Sequence, residues 1–221
     1  MIIKLRNVLT RQQADHIREL ANHIGFIDGR LTNPSSTVKS NLQLSQLDAQ
    51  AAEPGMLLRD ALFRHPDVQV FAFPKTMARP TVAVYRPGMA YGWHVDEAIF
   101  PSQPPIRSDL SCTVFLSDPG SYEGGDLAIQ LGGEELRYKL EAGDAILYPS
   151  TTIHQVTPVT KGERMVGITW IQSYIFDAQR RELLHQLDEA RTIEHGRGAD
   201  PRMQVLLESL RTNLFRMWSD N

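Results

Sequence analysis

Between residues 81 and 175 the sequence breaks into eight short runs rich in β-branched and aromatic residues, each bounded by turn formers. They are TVAVY (81–85), YGWHVD (91–96), LSCTVFLS (110–117), DLAIQL (126–131), EELRYKL (134–140), DAILYP (144–149), TIHQV (152–156) and RMVGITWIQSYI (164–175). Gly132-Gly133 joins the fourth run to the fifth, a two-residue hairpin signal. Eight short strands with regular turns predict an antiparallel double sheet or jelly roll.

Helical patterns flank this core. Thr10 and Gln13 have capping-box spacing, and Ile17, Leu20, Ala21 and Ile24 form one apolar stripe that Gly25 would stop. Turn formers fill DGRLTNPSST, and an extended VKSNLQL follows, in which Lys39, Asn41 and Gln43 share a face. A second helix is predicted over 53–65, ending before Pro66. Beyond residue 177, Leu183, Leu187 and Ala190 form one stripe and Leu207, Leu210, Leu214 and Met217 another, with HGRGADP (195–201) between them. The expected organisation is a support region over 1–77, a β core over 78–176 and a helical hairpin over 177–221. The hairpin would pack on the barrel or join two copies of the chain in a homo-oligomer.

Composition narrows the partners. Net charge is −3 with no basic cluster, so nothing points to nucleic acid, and no apolar run reaches the length of a membrane span. The opening MIIKLRNVLT is too short and too interrupted by charge for a secretory signal. Cys112, the one cysteine, excludes an internal disulfide and fits a reducing compartment, so a cytoplasmic location is expected. Its apolar surroundings read as core.

In YGWHVD, strand geometry would project His94 and Asp96 from one face. Such a pair shares either a metal or a hydrogen bond. Five of the seven histidines (16, 23, 65, 185 and 195) sit in amphipathic helices, before a proline or in a Gly-rich turn. His154 opens a β run beside Tyr148. Two histidines and a carboxylate on strands form the facial set of non-haem Fe(II) oxygenases, which leaves three coordination positions open. Arg164 begins a run expected to lie next to that of His154, and its planar guanidinium suits a carboxylate, implying a dicarboxylate cosubstrate. The competing reading makes His154 a hydrogen-bonded core residue and pairs Arg164 with Glu163 or Asp144 at the surface.

The order and spacing resemble the 2-oxoglutarate- and Fe(II)-dependent dioxygenases, and more narrowly the PKHD-type hydroxylases of the prolyl/lysyl hydroxylase-like group. DGRLT and VKSNLQL resemble the leader of that branch. AVYRPGMAYGWHVDEAI, RSDLSCTVFLSDPGSYEGGDL and AGDAILYPSTTIHQVTPVTKGERMVGITWIQS match its core, and RTNLFRMWSDN its end. TNPSST departs from the pattern by its proline. The resemblance implies a double-stranded β-helix core with Fe(II) held by His94, Asp96 and His154. It implies 2-oxoglutarate gripped by Arg164 and contacted by Tyr85, with Tyr148 in the same shell, and O2 as the oxidant. Ascorbate would sustain activity by keeping iron reduced. Lys39, Asn41, Gln43, Tyr91 and Trp93 would line the substrate entrance. Asp96 favours hydroxylation over halogenation, whose enzymes carry a small residue in its place. The expected reaction releases succinate and CO2 and hydroxylates a peptidyl proline or lysine, a free amino acid or a small metabolite. The alternatives are an iron-binding or iron-sensing module with little turnover, and a structural β barrel.

Overall fold

Every residue of TVAVY and of LSCTVF is buried, a pattern that a sheet with one wet face does not allow. The computed structural model, which describes residues 1–34, 36–198 and 200–219, shows why: these strands lie in a sheet covered on both faces.

The first half of the chain forms β1 (Ile3–Leu5), α1 (Arg11–Ile24), β2 (Ile27–Asp28), β3 (Lys39–Ser40) and β4 (Leu42–Gln43). Then come α2 (Ala52–Arg64), α3 (Pro66–Ala72), β5 (Pro74–Met77), β6 (Thr81–Tyr85) and β7 (Ala90–His94). Next are β8 (Ile99–Phe100), β9 (Ile106–Arg107), β10 (Leu110–Phe115), β11 (Tyr122–Gly124), β12 (Leu127–Leu131) and β13 (Glu134–Tyr138). The last elements are β14 (Ala145–Pro149), β15 (His154–Val156), β16 (Val159–Gly162), β17 (Arg164–Ser173), α4 (Ala178–Gly196) and α5 (Pro201–Trp218).

An eight-stranded sheet runs in the order β1-β14-β10-β17-β6-β4-β2, with β5 also pairing to β17. A five-stranded sheet runs β13-β12-β15-β7-β3, and all these pairings are antiparallel. The two sheets make a jelly roll with helices at both ends of the chain. Strand alternation divides the larger sheet into two faces. Cys112, Val114, Leu147, Val82 and Val84 pack with Ile17 of α1 and Leu58 and Leu62 of α2. Phe115, Ile146, Tyr148, Ala83, Tyr85 and Val166 pack with Leu127, Ile129 and Val156 of the smaller sheet.

Local signals explain most elements. Thr10 and Gln13 form the reciprocal capping box, and Gly25 ends α1 with φ 86°. Gly132-Gly133 closes the β12–β13 hairpin, with Leu131 opposite Glu134. α2 stops at His65 as expected, but Pro66 then starts the short α3 at a position where proline's missing N–H costs nothing.

Three expectations need correction. β17 is not beside β15, because it lies in the larger sheet between β10 and β6, across the barrel. The break between the last helices is shorter than HGRGADP, because α4 continues through His195 to Gly196; Ala199 lies outside the described residues. The apolar stripes are also misplaced. On α4 Leu184 is buried and Leu183 is 47% exposed, while on α5 Leu210 and Met217 are exposed. The packed face of α5 carries Leu214, Phe215 and Trp218, rotated by roughly 60° from the leucine stripe at 100° per residue. The cause is aromatic bulk: Phe215 meets Phe73 edge-on at 5.6 Å, and Trp218 lies under the Arg180 guanidinium. Within TNPSST, Ser35 lies outside the described residues, as do Asp220 and Asn221 of the terminal stretch.

Candidate metal centre and its cavities

His94 is the last residue of β7 and His154 the first of β15, and the two stand directly opposite each other in the ladder. Their rings lie 4.2 Å apart, centre to centre. The Nδ1 of His94 donates to Gly92 O (2.8 Å), and that of His154 donates to Thr152 O (2.9 Å). A carbonyl can only accept, so each Nδ1 carries the proton and each Nε2 keeps its lone pair for a ligand. Burial first, and the neighbouring His154 second, push the His94 pKa down to about 4, so the ring is neutral near pH 7.

Asp96 lies two residues past the end of β7 and not within the strand, so its approach is set by the loop. One oxygen sits 3.9 Å from His94 Nε2 and the other 3.8 Å from His154 Nε2. These separations are too long for hydrogen bonds. They match the spacing of about 3–4 Å between ligands that each lie about 2.1 Å from a shared ion. All three ligand atoms fall within 4.8 Å of one another, so the residues fit a metal. Ser111 of β10 donates to Asp96 Oδ2 and contacts Ser150 Oγ at 2.8 Å, fixing the carboxylate from the opposite sheet.

Arg164 is 1% exposed, and its Nε and Nη1 have no hydrogen-bond partner. It pairs with neither Glu163, which Arg86 holds at 2.9 Å, nor Asp144, which takes Arg6. Its guanidinium lies over Tyr85 (5.1 Å) and Phe115 (5.7 Å). A buried cation with unspent donors favours an anion beside it. The Tyr122 hydroxyl is likewise buried, makes no hydrogen bond of ordinary geometry and lies within reach of the Arg164 charge. Room for both comes from Gly125, where a Cβ would meet Arg164 Cδ at 3.0 Å and Tyr122 Cε2 at 3.2 Å.

A narrow cavity of about 50 Å³ joins His94, Asp96 and His154 to Arg164, Tyr85 and Tyr148. Tyr148 meets His154 edge-on at 5.0 Å, and Asn41 Nδ2 donates to the Tyr85 hydroxyl (3.1 Å). Burial raises the pKa of both phenols, that of Tyr148 far above its usual value, so both stay protonated. A wider cavity of about 390 Å³ meets the triad at Asp96, and Lys39, Asn41, Gln43 and Tyr91 line it. Trp93 lines neither cavity and is 42% exposed. A larger hollow of about 940 Å³ between α4 and α5 lies away from the triad.

Ser111 and Tyr122 were not foreseen. Ser111 left a trace, since it and Thr113 are the polar pair on one parity of an otherwise apolar strand. Tyr122 left none.

A family model described as the 2OG-Fe(II) oxygenase superfamily matches residues 80–172. A PKHD-type hydroxylase of Sphingopyxis alaskensis is 44% identical over 219 residues, which is 98% of this chain and 99% of the relative. Another, from Maricaulis maris, is 39% identical over the full length of both. Among solved structures, a Trichoplax adhaerens prolyl hydroxylase, in complex with a hypoxia inducible factor peptide fragment, superposes with TM-score 0.61. It is 16% identical, with 82% of this chain and 86% of that one covered. A viral collagen prolyl hydroxylase from Paramecium Bursaria Chlorella virus-1 gives TM-score 0.58 at 20% identity, covering 78% and 96%.

Proposed function

Because the chain belongs to the PKHD-type hydroxylases of the 2OG-Fe(II) oxygenase superfamily, we propose that His94, Asp96 and His154 hold its Fe(II) and Arg164 its 2-oxoglutarate. The observation that carries this assignment is the meeting, in one cavity, of a converging His-Asp-His set and a buried guanidinium with unspent donors. The balanced reaction takes a substrate C–H, 2-oxoglutarate and O2 to the corresponding alcohol, succinate and CO2. Fe(II), when bound, supplies the redox chemistry of that exchange.

The chain's own residues supply position and protection. Arg164 takes the distal carboxylate of the cosubstrate by charge-assisted hydrogen bonds, and the Tyr122 hydroxyl stands ready to add another. Tyr85 and Tyr148, both buried and protonated, wall the cavity and exclude water. Ser111 orients Asp96, and the Gly92 and Thr152 carbonyls orient the imidazoles.

The test is O2-dependent release of CO2 from carboxyl-labelled 2-oxoglutarate by protein reconstituted with Fe(II). His154→Ala is expected to abolish it, and Arg164→Met to raise the 2-oxoglutarate KM about a hundredfold, the effect of losing about 3 kcal/mol of charge-assisted hydrogen bonding. Undiminished turnover in either variant would refute the assignment.

A further inference from the structure

Lys39 occupies a place that neither metal nor cosubstrate binding requires. It pairs with Tyr91 across β3 and β7 and is 8% exposed. Its Nζ donates to Thr32 Oγ1 (2.9 Å) and lies 5.5 Å from the Tyr91 ring centre, and that ring stacks on His94 at 3.6 Å. No carboxylate of the described residues comes within salt-bridge distance of it. A buried ammonium is costly unless paired, and this one has three donors and a single hydroxyl partner. In the same 390 Å³ cavity, Trp170 Nε1 is buried and has no acceptor. Arg79 adds a second cation, while Asp96 is committed to the triad and Glu97 is exposed. Apolar surface is also present, from Phe100, Ile106 and Ile168. Phe100 lies 4.4 Å from Trp170, ring centre to ring centre.

Resting on the hydroxylase reading above, we propose that the substrate is a small organic acid, whose carboxylate is taken by Lys39 and whose apolar body lies against Phe100 and Trp170. The cavity volume falls within the range of small-molecule sites. The same anion could be offered by an acidic side chain of a peptide, and the test separates the two sources.

The full chain, loaded with Mn(II) and 2-oxoglutarate so that no turnover occurs, is titrated calorimetrically. The probes are the free apolar and aromatic L-amino acids, their C-terminal amides, and a blocked tripeptide with a central aspartate. Wild-type Mn(II) binding is measured first, and its absence would overturn the hydroxylase reading without touching Lys39. The expected result is that at least one free acid binds, its amide binds at least tenfold more weakly, and Lys39→Met loses at least tenfold for the acid. Lys39→Arg should restore most of that loss. A thermal melt of Lys39→Met at or above the wild-type temperature establishes that the variant is folded. Equal binding of acid and amide, undiminished binding by Lys39→Met, or no binding of any free acid would overturn the proposal. Lys39-dependent binding of the aspartyl peptide above every free acid would overturn its small-molecule part.

Discussion

Asp96 is held from one side by Ser111 and faces an imidazole with each oxygen, so its orientation depends on a residue of another strand. Ser111→Ala is therefore expected to weaken metal binding by roughly 10- to 100-fold while leaving the fold intact, measured by competition with a metal-sensitive dye. Arg164 should behave in the opposite way to an ordinary buried arginine. Its Nε and Nη1 donors are unspent, so Arg164→Met should keep or raise the melting temperature even as cosubstrate binding falls. A melting temperature several degrees lower would mean that the guanidinium has a structural partner. The convergence of His94, Asp96 and His154, with Arg164 on the same cavity, could be anticipated from the sequence because spacing and residue type carry its chemistry. Ser111 left only the trace of its parity, because a serine in a strand is ordinary until the opposite sheet is in place. Trp93, expected at the substrate entrance, lies outside both cavities. The pairing of β15 with β7 shifts register between His154 and Val156, and Tyr91, not Trp93, lies on the His94 side.

Among the elements, α2 and β17 meet at a close seam. At Gly167 a Cβ would stand 2.7 Å from both Leu58 methyl carbons, so the helix can lie against the sheet only where no side chain intervenes. Gly167→Ala should destabilise by about 1–3 kcal/mol in chemical denaturation, and the same change should cost less in a Leu58→Ala background, as a double-mutant cycle would show. The strand runs and the α1 cap could be read from sequence because their causes are local. The partner of β17 was misplaced because an antiparallel double sheet sends consecutive strands to alternate sheets, and periodicity does not record which sheet a strand joins. The α5 face was likewise rotated by Phe215, whose contact, Phe73, is distant in sequence, and by Trp218, which lies under Arg180 of α4.

For the molecule as a whole, a sheet sandwiched between helices and a second sheet buries Cys112 to 1% exposure, and burial pushes its thiol up to about 12. The folded protein should therefore resist alkylation at pH 8 and label fully in denaturant, and rapid labelling under native conditions would argue against the packing of α1 and α2 on that sheet. The same architecture serves the site. One sheet carries the two histidines, the other carries Arg164 and the serine that steadies Asp96, and the cavity exists only where the sheets face each other. The proposed assignment has these residues hold iron and 2-oxoglutarate together. Its most direct test is anaerobic titration of the protein with Fe(II) and then 2-oxoglutarate, followed by the weak visible charge-transfer band of an iron–keto acid chelate. The expected result is a band in the native protein that His154→Ala abolishes and that Arg164→Met shows only at far higher 2-oxoglutarate. No band at saturating Fe(II), with no iron retained, would contradict it.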